Sequence, residues 1–230
     1  MTDPYYQDDY VTLYHGDSLK LLDQLDFDVI VTDPPYGISV NTRGASTGRG
    51  SNGRTSSGNA VSPSRDYPPI HGDDKPFDPL PLLALNLPTV LFGANHYGSR
   101  LPDASRWLAW DKLDGLTSKR DIGFNDQADC ELAWTNLGGP ARLYSQRWMG
   151  AMKSGEDRMT ARRHPTEKPV ELMRWVLAQC PDGIVLDPFA GAGSTLRAAK
   201  DLGRQAIGIE LEEQYCKTIV GRLAQEVLAI

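Results

Sequence analysis

Four consecutive residues, Asp33-Pro34-Pro35-Tyr36, carry the clearest chemistry in this 230-residue chain. They follow the short apolar run from Val29 to Thr32, so Asp33 places a carboxylate where a strand should end. Proline fixes φ and has no N–H, so Pro34 and Pro35 stiffen the segment and offer carbonyls without donors. The Asp33 carboxylate and the Pro34 carbonyl form a rigid acceptor pair, and Tyr36 adds a planar face beside it. Such a pair suits an aromatic amine, held through both of its N–H bonds. The exocyclic nitrogen of adenine or cytosine is a poor nucleophile because its lone pair is delocalised into the ring. Two acceptors would draw it towards tetrahedral geometry and free that lone pair for attack on a methyl group. A strong base is not required, since the methylated ammonium loses its proton readily. In duplex DNA the nitrogen is paired and stacked, so the base must be flipped out, with Tyr36 stacking on it. A Pro-rich turn between two elements is the other reading of the tetrapeptide alone.

A second cluster lies towards the C-terminal end. The stretch "LDPFAGAGST", 186–195, follows a strand-like run and opens a helix-like one, the context of a nucleotide-binding turn. Gly191 and Gly193 let a ligand approach the backbone. Glu210 ends the next strand, 17 residues beyond Gly193, where an acid can accept both ribose hydroxyls of an adenosine. A dinucleotide turn wants GxGxxG and a bare helix N-terminus facing pyrophosphate. Here Leu196 stands in place of a third glycine, and Asp187 would repel a pyrophosphate. Beside a cofactor with an ammonium and a sulfonium, Asp187 would attract. The turn thus favours S-adenosylmethionine over NAD, with a plain strand-to-helix turn as the alternative.

Strands and helices must hold these two clusters in place. "DYVTLYHGDSLKLLDQL" reads as a strand at about 10–14, a turn, and a helix with Leu19, Leu22 and Leu25 on one face, capped by Asp17 or Ser18. "DVIVTD" is a β-branched, uniformly apolar run, as expected of a strand buried on both faces. "LPLLALN" suits a short helix, and "PTVLFGAN", "RWLAWDK" and "CELAWTN" suit strands. Trp107, Trp110 and Trp134 read as core rather than base platforms. "PVELMRWVLAQC" has proline at a helix start, and the remainder runs strand, glycine turn, helix, strand, helix. The alternation predicts an α/β fold with a doubly wound, mostly parallel sheet. The chain reads as a single domain, 1–230, and from 136 to 166 its pattern is weak and basic. Residues 39–66, rich in Gly, Ser, Thr, Asn and Arg, bury too little to offset their ordering entropy and read as a long mobile loop.

Composition is that of an ordinary globular protein, 40 % hydrophobic and 23 % charged. No apolar run approaches the roughly 18 to 20 residues of a membrane span, and "MTDPYYQDDY" lacks the layout of a secretory signal. Cys130, Cys180 and Cys216 are scattered, with no metal spacing and no sign of a disulfide framework, so a reducing cytoplasm is expected. The net charge of −6 does not favour a nucleic-acid partner, but its distribution matters more. Arg43, Arg49 and Arg54 lie in a stretch without acids, and Arg147, Arg162 and Arg163 in a second basic stretch. These six are the candidate DNA contacts, able to hold phosphates or read guanine edges; solvated loop faces are the alternative.

Taken together, "DPPY" at 33–36, "HPTEKP" at 164–169 and "DPFAGAGST" at 187–195 resemble the motifs of the amino-group DNA methyltransferases. The resemblance spans roughly 10–36 and 88–230, and the order, catalytic motif first and cofactor turn last, is similar to the permuted β group, typically bacterial or phage-borne. It implies the Rossmann-like fold of the S-adenosylmethionine-dependent methyltransferases. It also implies that Asp33, Pro34, Pro35 and Tyr36 are catalytic. Asp187, Phe189, Gly191, Gly193, Ser194 and Thr195 would form the methionine-binding turn, with Phe189 against the cofactor. His164, Thr166 and Lys168 would complete the pocket, His164 structurally and Lys168 by meeting the methionine carboxylate. Gly16 and Asp17 stand where the family contacts the adenine end of the cofactor; a plain helix cap is the other reading of Asp17. Double-stranded DNA is the implied partner. Family relatives are often dimers, and a restriction partner is unspecified. The family's target-recognition domain is here reduced to about 136–163 plus the 39–66 loop, which leaves the catalytic rim and could close over DNA. A leading Asp more often accompanies adenine in this family, so the expected reaction is site-specific N6 methylation of adenine. N4 of cytosine is the runner-up. A non-catalytic binding module, an NAD-dependent oxidoreductase and a relative acting on RNA or protein are the rival readings.

Overall fold

A nine-stranded mixed sheet organises the protein in a computed structural model that describes residues 3–39, 69–114, 128–149, 152–155, 164 and 166–224. Its strands are β1 (Tyr6–Gln7), β2 (Val11–His15), β3 (Val29–Thr32), β4 (Thr89–Phe92), β5 (Trp107–Asp111), β6 (Cys130–Thr135) and β7 (Arg142–Ser145), with β10 (Val185–Asp187) and β11 (Ala206–Glu210) after them. A separate pair, β8 (Trp148–Met149) and β9 (Met152–Lys153), precedes β10. Among the described residues the helices are α1 (Ser18–Leu21), α2 (Leu80–Leu83), α3 (Val170–Leu177), α4 (Ser194–Asp201) and α5 (Glu213–Leu223). The order across the sheet is β1-β2-β11-β10-β3-β4-β6-β5-β7. From β2 to β4 the neighbours are parallel, whereas β6 runs antiparallel between β4 and β5. No described helix is long and apolar enough to cross a membrane.

The apolar run of β3 explains its central place, because all four of its residues are buried. Side chains alternate across a strand, and here both sides find a core. Val29 and Val31 pack with Val11, Leu13 and the α3–α4 residues Leu172, Val176 and Leu196. Ile30 packs with Leu91, Leu186, Ile209, Leu21 and Leu82 on the other side. This is the doubly wound arrangement expected of a parallel sheet covered on both faces. Trp110 and Trp134 are buried in these cores, each indole N–H donating to a carbonyl, that of Gln146 at 3.1 Å and that of Pro102 at 2.9 Å.

One local expectation needs correction, and two others gain detail. Leu19 is exposed, and the buried residues are Leu21 and Leu22. The reason is that α1 lasts one turn and passes into a 3₁₀ turn, Leu22–Gln24, whose tighter winding changes the buried face. The 136–166 stretch contains β7 and the β8–β9 pair; β7 is an edge strand with Leu143 exposed, so it lacks the alternation that reveals a half-buried strand. Pro169 caps α3 from just outside the helix, with Val170 as its first residue. The loop reading for 39–66 falls, beyond Ser39, outside the described residues.

Candidate active site

The C-terminal ends of four adjacent parallel strands present four acids. In sheet order they are Asp17 just beyond β2, Glu210 at the end of β11, Asp187 at the end of β10 and Asp33 just beyond β3. Ligands of open α/β sheets bind at this edge. The β10–β3 register sets Val185 opposite Val29, which brings the proline motif beside the glycine turn. Buried Thr32 bridges them, its hydroxyl donating to Asp187 Oδ1 at 2.6 Å, and the Phe189 N–H donates to the same oxygen at 3.2 Å. Burial pushes the Asp187 carboxyl up to about 6, against the pull of these hydrogen bonds. Glu210 accepts the Gly191 N–H at 2.7 Å through Oε2 and the Glu212 N–H at 2.8 Å through Oε1. Burial nevertheless raises its carboxyl to about 7. Asp17 caps α1 by accepting the Leu19 N–H at 3.1 Å.

The glycine turn is clamped from behind. Gly193 caps α4 in the left-handed region, φ 74°, and a Cβ there would come within 2.9 Å of Ile219. Arg222 of α5, 3 % exposed, donates to Ala192 O and Ser194 Oγ, both at 3.0 Å, and pairs with Glu167 at 3.1 Å. The Ser194 hydroxyl donates to Lys168 O at 2.6 Å. This buried cluster locks the Thr166–Lys168 segment against the turn. His164 lies edge-on to Tyr215, with ring centroids 4.5 Å apart, and its Nδ1 sits 3.1 Å from the Thr166 hydroxyl oxygen. Burial, helped by nearby Lys168, lowers the imidazole to about 4, so the ring is neutral at physiological pH.

In the proline motif, the Tyr36 hydroxyl donates to Asp33 Oδ1. The Tyr36 ring stacks on His96, centroids 5.1 Å apart at 15°. Gly93, at φ 66°, makes room for it, because a Cβ there would fall on the Tyr36 ring. Lys168 Nζ donates to Asp33 Oδ2 at 2.6 Å and to the Tyr36 oxygen at 3.2 Å. The same ammonium lies 3.0 Å from Glu131 Oε2, and Glu131 Oε1 accepts from Lys112 Nζ at 2.6 Å. Lys168, which the family resemblance assigns to the methionine carboxylate, has its ammonium between two carboxylates on the Asp33 side. Burial raises the Asp33 carboxyl despite Lys168. Glu131 is buried as well, but Lys168 and Lys112 outweigh that and hold it at about 2.

One cleft brings together Asp33, His164, Thr166, Lys168, Asp187, Phe189, Gly191, Ser194 and Thr195. Glu210 holds the Gly191 N–H of its lining, Asp17 stands one strand further along the same edge, and Gly193 shapes the turn. Arg147 is half-buried, with its N–H donating to Ser154 Oγ at 3.1 Å. Arg43, Arg49, Arg54, Arg162 and Arg163 lie outside the described residues. Sequence reasoning missed Glu131, Lys112, Glu167 and Arg222. For Glu131 a signal existed: it is the one acid in the otherwise apolar run "CELAW". In this cleft Lys168 offsets Asp33 and His164 is neutral, which leaves Asp187 to favour a cationic ligand over a pyrophosphate.

The family model for N6/N4 methyltransferases, described as DNA methylase, matches residues 107–221, half of the chain. The chain belongs to the amino-group DNA methyltransferases. It is 31 % identical over 264 residues to the Type II methyltransferase M.ScaI of Streptomyces caespitosus, covering 99 % of this chain and 86 % of that protein. Two solved structures share the fold of this methyltransferase. The cytosine-N4-specific PvuII DNA methyltransferase does so with a TM-score of 0.59 at 15 % identity, over 98 % of this chain and 90 % of that one. The M1.HpyAVI–SAM complex gives 0.54 at 23 %, over 94 % and 100 %. As a member of this family, the methyltransferase uses S-adenosylmethionine and acts on DNA.

Proposed function

We propose that this methyltransferase modifies N6 of adenine in a specific sequence of double-stranded DNA, acting on a flipped-out base. One observation carries the reading: Asp33 and the glycine turn open on a single cleft, and the strands that bear them are linked by the Thr32–Asp187 hydrogen bond at 2.6 Å. S-adenosylmethionine, when bound, supplies a methyl carbon made electrophilic by positively charged sulfur, and its C–S bond breaks with the electron pair going to sulfur. Asp187, Phe189, Gly191, Gly193, Ser194 and Thr195 would hold its methionine end, Asp17 and Glu210 its adenosine, and His164 and Thr166 would close the pocket. The Asp33 carboxylate and the Pro34 carbonyl accept the two N–H bonds of the target amine and localise its lone pair on nitrogen. Pro35 stiffens that turn, and Tyr36 offers a face for the base. The methylated nitrogen, now cationic, loses its proton to water, so no strong base is required. An acid at the head of the tetrapeptide supports adenine as the target. The basic segments within 39–66 and 136–163, through Arg43, Arg49, Arg54, Arg147, Arg162 and Arg163, hold the DNA phosphates.

Incubation with duplex DNA and S-adenosylmethionine, followed by digestion to nucleosides and mass spectrometry, tests the assignment. N6-methyladenine is expected. N4-methylcytosine alone would move the target to cytosine, and the absence of both would overturn the proposal.

A further inference from the structure

Four charged side chains run in series from the catalytic motif towards the far strands of the sheet. Asp33 pairs with Lys168 at 2.6 Å, Lys168 with Glu131 at 3.0 Å, and Glu131 with Lys112 at 2.6 Å. Their side chains are 17 %, 6 %, 20 % and 12 % exposed in that order, so solvent screens the series weakly. The alternating signs cancel, and no net charge is buried. Topology explains how Glu131 reaches the site. Because β6 is antiparallel to β4, its beginning lies at the edge where the parallel strands end. Glu131 is opposite Trp110 on β5, and Lys112 follows that strand's last residue.

We infer that Glu131 is a positioning residue for methyl transfer, acting through the Lys168 ammonium to set the aim and charge of the Asp33 carboxylate. The inference rests on the amine-methylation reading above. Lys168 alone would be a poor neighbour for this reaction. It would saturate one oxygen of Asp33 and put a full positive charge beside a nitrogen that becomes cationic. Glu131 divides the attraction of Lys168 between two carboxylates and balances its charge. Lys112 in turn keeps Glu131 ionised.

The other groups facing this series are identified. Tyr36 donates to Asp33, the Asp187 and Tyr97 side chains feel its charge, and His164 near Lys168 is neutral. Asp33 is raised first by burial; Lys168 pulls it down and Glu131 pushes it up. Removing the charge of Glu131 therefore lowers the Asp33 carboxyl. Removing Lys168 together with Glu131 raises it, because the pull of Lys168 is the larger of the two.

The test uses the full chain with Glu131→Gln and with the double variant Glu131→Gln/Lys168→Met. Single-turnover methyl transfer to duplex DNA is measured from pH 5 to 9 at saturating S-adenosylmethionine. The Asp33 side-chain carboxyl is titrated in the free protein by carbon-13 NMR. For Glu131→Gln the plateau rate falls about 10- to 100-fold, the loss of one charge-assisted contact, and the NMR titration and the acid limb of the rate both move to lower pH. For the double variant both move above wild type. A residue serving stability alone would leave the acid limb and the carboxyl titration where they are, and that result overturns the inference. If Glu131→Gln does not fold, the charge-balanced double variant decides by the direction of its shift. A wild-type protein that methylates no DNA, while the NMR shift is present, would remove the amine-methylation reading and leave the charge coupling standing.

Discussion

Cofactor affinity should depend steeply on pH, and the two carboxyls responsible are Asp187 and Glu210. Burial holds them at about 6 and about 7 in the free protein. In the proposed cofactor complex both act as carboxylates, Asp187 facing positive charge and Glu210 accepting hydroxyls. Each must therefore be ionised on binding, and below its pKa each weakens affinity about tenfold per pH unit. At pH 5 the factors are about 10 for Asp187 and about 100 for Glu210, or roughly 10³ relative to pH 7.5. On a plot of log Kd against pH the slope is close to −2 below pH 6 and close to −1 between 6 and 7. Asp187→Asn keeps an oxygen for Thr32 and the Phe189 N–H but removes the charge, so its slope below pH 6 falls to about −1. The same substitution has an opposite effect on stability. A carboxyl raised from 3.8 to about 6 favours the folded state fully below pH 3.8, and that contribution is lost as pH rises through 6. Above pH 6 the free protein thus carries a penalty of about 3 kcal/mol, which the amide relieves. Isothermal titration calorimetry with S-adenosylmethionine from pH 5 to 7.5 at constant ionic strength reads the affinity, and urea unfolding at pH 7.5 reads the stability. A flat Kd, or an Asp187→Asn slope equal to that of wild type, would refute the reasoning.

Two further substitutions separate chemistry from scaffold. Asp33→Ala removes one of the two acceptors and should lower the methyl-transfer rate by roughly 10²–10³ while cofactor binding persists, by analogy with the loss of one oriented polar group; rate and calorimetry on the same preparation check this. Arg222→Met removes the buried Arg222–Glu167 ion pair and the hydrogen bonds to Ala192 O and Ser194 Oγ. It should cost about 3–5 kcal/mol in urea unfolding, and a loss below about 1 kcal/mol would mean that the clamp behind the glycine turn is dispensable.

Much of this arrangement is legible along the chain because it is local. The Val29–Thr32 run announces a strand buried on both faces, and the prolines after it mark its end. The stretch from Val185 to Glu210 reads as strand, turn, helix and strand because each element has its own period and its own breaker. What stays hidden depends on long-range pairing. The antiparallel placement of β6 follows from no local signal, yet it carries Glu131 to Asp33. Lys168 sits within a recognisable motif, but its direction is decided by two acids 135 and 37 positions away. The β7 edge strand escapes notice because exposed Leu143 breaks the alternation that a half-buried strand would show. Leu19 misleads for the opposite reason: helical spacing was extended through a segment that makes one turn and then tightens.

The most direct test follows an isotopically labelled methyl group from S-adenosylmethionine into duplex DNA with the wild-type protein and Asp33→Ala side by side. The account predicts label on an exocyclic amino nitrogen, N6 of adenine, with the wild-type protein and a rate lower by roughly 10²–10³ with the variant. Label on a ring carbon such as C5 of cytosine, or equal labelling by both proteins, would contradict it.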